Sequence, residues 1–92
     1  MYIVYRIFNK TTNEYYIGYS SKTINEVLKR KLIKYHKNIW NPTFILFEQG
    51  DYISIEKLCT FEHQGACVDF IKMYNHYHAG CVNYQQNPHN LI

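Results

Sequence analysis

Residues 2–8, YIVYRIF, and residues 15–19, YYIGY, are two short aromatic and β-branched runs separated by six polar turn formers, NKTTNE. Such side chains fit a pleated surface, so both runs predict strands. The turn formers between them predict a hairpin. Gly18 interrupts the second run and predicts either a bulge or a close backbone approach.

The remaining chain must complete one core. With 92 residues it is too short for two ordinary domains, and folds such as a (β/α)8 barrel are excluded. Hydrophobic residues make up 47% of it, which argues against a disordered tail. Residues 23–37 predict a helix, because Ile24, Val27, Leu28, Leu32 and Tyr35 recur at 3–4 residue spacing. Thr23 and Glu26 form its capping box, and Asn41-Pro42 ends the region. Residues 43–49, TFILFEQ, favour a strand by propensity, yet a short buried helix is the alternative that periodicity leaves open. Gly50-Asp51 predicts a turn and residues 52–58 an alternating strand. Thr60 then opens a predicted helix over 61–75, with Phe61, Cys67, Phe70, Ile71 and Tyr74 on its apolar side. The expectation is one α/β domain over residues 1–92 with a small, largely antiparallel sheet.

Charge is unevenly spread. Ten Lys/Arg against seven Asp/Glu give a formal +3. Residues 22–37 hold six cations and only Glu26, whereas residues 48–69 hold five acids and only Lys57. A basic flank beside an acidic one suits an anionic partner. Lys29, Lys31, Lys34 and Lys37 are the candidate nucleic-acid contacts, beside Arg30; the alternative is a solvated helix face. Three cysteines form no set of pairs and no C-x-x-C, so neither a zinc knuckle nor a thioredoxin-like centre is indicated. The odd count points to a reducing, intracellular compartment. No signal peptide is visible, and no apolar run approaches the roughly 20 residues that span a membrane.

Ten tyrosines are the compositional oddity. Most are expected to complete a small core as amphipathic rings. Tyr5 and Tyr16, eleven apart on the two strands, either pack across the hairpin or turn two hydroxyls into one pocket. A phenol near pKa 10 is a poor base unless something lowers it. His36 is either a charge partner for the end of its helix or a phosphate-contacting or catalytic group. His63, His76 and His78 lack the Asp or Cys that would complete a metal set. Phosphate-loop, dinucleotide-binding and serine-nucleophile motifs are absent.

Ile3-Val4-Tyr5 followed by Tyr16-Ile17-Gly18 resembles the paired signature of the GIY-YIG endonuclease superfamily. The basic helix, the Gly50 turn before a strand and the last helix leading into Val82-Asn83 extend the resemblance over nearly the whole chain. It implies a three-stranded sheet flanked by helices, and it turns residues 43–49 toward a helix. It also implies metal-dependent hydrolysis of a DNA phosphodiester, with one divalent cation, Mg²⁺ or Mn²⁺. On the matching positions, Tyr16 would activate or orient water beside Tyr5, Arg30 would steady the developing charge, and His36 would assist. Asn83 would orient the catalytic side chains.

The sequence departs from the family in three places. Ile3 stands where the first motif has glycine. Leu32 stands at the arginine's usual place, about four residues before the histidine, with Arg30 and Lys31 just ahead. Cys67 stands where the metal-binding glutamate is expected, and a thiol does not replace a carboxylate for Mg²⁺. Glu62 is the acid taken as metal ligand. Two expectations follow: a DNA endonuclease, or a nuclease-like domain that binds nucleic acid or serves assembly without cutting. Lacking an attached recognition module, either would need a protein partner, a homodimer or features of the DNA for targeting.

Overall fold

A computed structural model describes residues 1–48 and 53–84. The protein is a small α/β domain with a three-stranded antiparallel sheet and three helices. The strands are β1 (Tyr2–Asn9), β2 (Tyr15–Ser20) and β3 (Ile53–Phe61), in the order β2-β1-β3. The helices are α1 (Ile24–His36), α2 (Thr43–Phe47) and α3 (Gln64–Tyr77). The Gly50-Asp51 turn lies outside the described residues.

Alternation along β1 decides the layers. Ile3, Tyr5 and Ile7 join Val27 and Leu28 of α1, Leu46 of α2 and Val82 in one apolar cluster. Val4 and Phe8 join Tyr15, Ile17, Cys67, Phe70 and Tyr74 in another. The sheet is therefore sandwiched, with α1 and α2 on one face and α3 on the other. Asn9 starts the hairpin turn by accepting from the amides of Thr11 and Thr12 at 2.8 and 3.1 Å.

Three local outcomes need physical reasons. Residues 43–47 are helical despite their strand propensity. Asn41 Oδ1 accepts from the Thr43 amide at 3.1 Å and from its hydroxyl at 2.8 Å, which starts the turn. Phe44 and Phe47, one turn apart, then close on the Tyr35 ring at 5.0 and 5.4 Å. The helix expected to open at Thr60 instead begins at Gln64, because β3 runs on to Phe61. Thr60 and Phe61 pair with Ile3 and Tyr2, and ladder bonds outweigh a capping threonine. Finally, the sheet's irregularity lies on β3 rather than at Gly18. Cys59 opposes Val4 and Lys57 opposes Tyr5, which leaves Leu58 as the extra residue of a bulge.

Candidate nucleic-acid interface

Gly18 stands opposite Tyr5 on the hairpin. A Cβ there would lie 2.7 Å from the Tyr5 hydroxyl and 3.2 Å from Tyr16 Cε1. The missing side chain is what lets the two rings converge, with centroids 6.4 Å apart. Tyr5 is 4% exposed and Tyr16 is half-buried. Burial pushes both phenols above their ordinary value, and for Tyr16 it outweighs the hydrogen bond with Tyr5 that favours ionisation. Both hydroxyls therefore stay protonated near neutral pH.

Lys31 comes down on this pair from α1. Its ammonium donates to the Tyr16 hydroxyl at 3.4 Å and lies 4.7 Å from the centre of that ring. Burial, helped by the neighbouring Lys34, pulls the amine from 10.5 to about 8. Beside it opens a cavity of about 380 Å³ that reaches from Tyr5 to Arg30, Lys34 and Lys37, with Ile33 and Ile39 on its rim. Among the described residues no Asp or Glu lines it. Four cations, Arg30, Lys31, Lys34 and Lys37, thus surround one concave surface floored by a phenol.

The expected site residues divide accordingly. Tyr5, Tyr16, Arg30, Lys31, Lys34 and Lys37 come together. Lys29 is exposed and lines, with Glu26, an adjoining surface that shares Arg30 and Ile33 with the cavity. His36 is exposed, about 140° round the helix from Lys31, with its ring on Tyr35 at 5.7 Å. Asn83 works from the edge of β2. Its side-chain amide accepts from the Ile17 amide at 2.9 Å and donates to the Ile17 carbonyl at 2.6 Å. It thus clamps the backbone between Tyr16 and Gly18 in the manner of a fourth strand.

Glu62 sits exposed on the bend after β3, beyond Phe61, which pairs with Tyr2. Tyr16 pairs with Ile7, five residues further along β1. Cys67 is fully buried in the apolar cluster on the α3 side. The described residues contain no group of three or more His, Cys, Asp or Glu placed to hold a metal ion. A cavity walled by cations, with the nearest expected carboxylate on another edge, does not fit a divalent cation by itself.

Lys31 is the residue that spacing undervalues. It lies in the row Ile24, Val27, Leu28, Tyr35 that forms the apolar stripe, and a cation inside such a stripe is the sequence signal of a half-buried ammonium. No helix among the described residues is long and apolar enough to cross a membrane. No family model, curated protein or solved structure matches the chain.

Proposed function

We propose that this domain binds the phosphodiester backbone of DNA in the cavity between α1 and the Tyr5–Tyr16 pair, as a GIY-YIG-like module. The carrying observation is the half-buried Lys31 ammonium on Tyr16, ringed by Arg30, Lys34 and Lys37. A partly desolvated cation without a carboxylate partner is disfavoured, and an arriving phosphate supplies the missing charge. The protonated Tyr16 hydroxyl adds a hydrogen-bond donor to a phosphoryl oxygen. Arg30, Lys34 and Lys37 are exposed, so they extend the contact along the backbone and make it salt-dependent.

The second reading is metal-dependent hydrolysis at the same place. It is favoured by the convergence of Tyr5 and Tyr16 over Gly18 that the resemblance implies. A phenol held above its ordinary pKa is better suited to donating a hydrogen bond than to taking a proton from water, which ranks binding ahead of cleavage.

Fluorescence anisotropy with duplex and branched DNA at stepped salt separates the possibilities. Arg30→Glu with Lys34→Glu should weaken binding more than about tenfold and flatten the salt dependence. Unchanged affinity in that variant sinks the interface. Cleavage that appears with Mg²⁺ and stops with EDTA promotes the second reading to the lead.

A further inference from the structure

The α3 side of the sheet carries another cavity, of about 450 Å³, where the β1–β2 turn meets the end of α3. Its walls include Arg6 and Phe8 of β1, Lys10 of the turn, Tyr15, and Tyr77 and His78 at the end of α3. The DNA-binding reading above uses none of these groups.

The walls are held in place from several directions. Gly80 has φ +96°, and a Cβ on it would lie 2.9 Å from the Asn13 carbonyl oxygen. Only glycine lets the hairpin turn and the segment after α3 approach so closely. The Tyr15 amide then donates to the Gly80 carbonyl at 2.9 Å and ties the two together. His78 stacks flat on Tyr74 at 3.9 Å, and its Nδ1 lies 2.9 Å from the Tyr74 carbonyl oxygen. A carbonyl only accepts, so Nδ1 carries the proton and Nε2 is the ring's other polar atom.

Arg6 is likewise prearranged. Its Nε donates to Glu56, one Nη donates to the Tyr74 hydroxyl at 3.0 Å, and the guanidinium lies 4.2 Å from the centre of the Phe8 ring. A guanidinium has five N–H donors, so donors remain for a ligand. Lys10 is exposed beside it, and among the described residues no Asp or Glu lines the cavity. Tyr77, 75% exposed, offers a whole ring face that the core does not use. Cations beside an open aromatic platform match a ligand that is anionic at one end and planar at the other. The volume falls within the range of small-molecule sites.

We propose that this cavity binds a nucleotide unit, with its base on the Tyr77 ring and its phosphate between Lys10 and Arg6. The unit is either a free mononucleotide or the 5′-phosphorylated end of a single strand. Inorganic phosphate alone would leave Tyr77 without a role.

Amide NMR titrations of the full chain test this with AMP, adenosine, inorganic phosphate and a 5′-phosphorylated oligonucleotide. AMP should bind more tightly than adenosine or phosphate and should move the signals of Lys10, Asn13, Tyr77 and His78. Tyr77→Ala, at an exposed position that spares the fold, should weaken AMP at least about fivefold and leave phosphate unchanged. Lys10→Glu should weaken both, and Lys72→Glu, exposed on α3 and lining neither cavity, neither. Tighter binding of the oligonucleotide than of AMP identifies a strand end as the source, and the reverse identifies the free nucleotide. AMP binding no better than phosphate, indifference to Tyr77→Ala, or shifts confined to α1 would each overturn the assignment. Loss of the α1 interface in the anisotropy experiment leaves it standing.

Discussion

Tyr15 and Tyr16 follow one another on β2, so the pleat sends one ring to each face of the sheet. Tyr15 is 2% exposed, meets Tyr74 edge-on at 5.4 Å, and donates its hydroxyl to Asn75 Oδ1 at 2.6 Å. Burial, with Cys81 and Tyr74 adding to it, pushes that phenol up to about 12. Tyr16 also sits high, but its hydroxyl meets an ammonium at 3.4 Å beside an open cavity. The rings are chemically identical and both remain protonated. The neighbours differ: an amide partner makes Tyr15 part of the core, whereas Tyr16 meets a half-buried ammonium, which the proposed function uses to hold an anion.

Three substitutions and a titration probe that contrast. Gly18→Val should cost about 3 kcal/mol of stability in urea unfolding, because its side chain must enter space held by Tyr5 and Tyr16. Wild-type stability in that variant would mean that the Tyr5 ring can swing aside, and the close approach would lose its significance.

Tyr15→Phe should cost about 1–2 kcal/mol while leaving DNA affinity alone, since it strips Asn75 of the hydroxyl that its Oδ1 accepts. Tyr16→Phe should cost a similar amount, because it takes the acceptor from the Tyr5 hydroxyl and the Lys31 ammonium, but it should also reduce DNA affinity about threefold. Unchanged DNA affinity in Tyr16→Phe would erase the distinction between them.

The pH dependence is subtler. Lys31 titrates at about 8 in the fold against 10.5 for an ordinary lysine, so between those values the unfolded chain binds more protons and stability rises with pH. Tyr5, Tyr15 and Tyr16 are held above 10.0 and Cys59 above 9.0, so the unfolded chain loses those protons first and stability falls at higher pH. Stability should peak near pH 9, with a rise from neutrality of order 1 kcal/mol after solvent screening of Lys31. DNA affinity should decline over the same rise as the ammonium loses its charge. Urea midpoints at about pH 7, 9 and 11 check the first statement, and a steady decline from neutrality would make Lys31 an ordinary surface amine.

Much of the frame is legible in the residues. The aromatic and β-branched runs YIVYRIF and YYIGY, with the turn formers between them, predict the hairpin, and Gly18 predicts a bulge or a close backbone approach where the structure has a close approach of the Tyr5 side chain. The 3–4 spacing from Ile24 to Tyr35 predicts α1, and Thr23 accepts from the Glu26 amide at 3.3 Å as a cap should. Residues 43–47 and the Thr60 boundary are less legible. Seven residues with four consecutive apolar ones carry no period, and whether a threonine caps a helix or extends a strand depends on a partner strand more than fifty residues away. The metal expectation rested on Glu62, and linear spacing does not reveal that the bend after β3 lies at the far end of β1 from Ile7 and Tyr16.

The sequence by itself determined the β1–β2 hairpin and α1, because propensity, periodicity and capping act over a few neighbouring residues. It also determined that cations cluster on one helix. Only the tertiary structure decided which tyrosine the half-buried Lys31 meets. Helix rotation against the sheet sets that pairing, through the joint packing of Tyr5, Val27, Leu46 and Val82. The lesson extends to both cavities. Each is walled by residues from distant parts of the chain, so its chemistry exists only once the layers have closed.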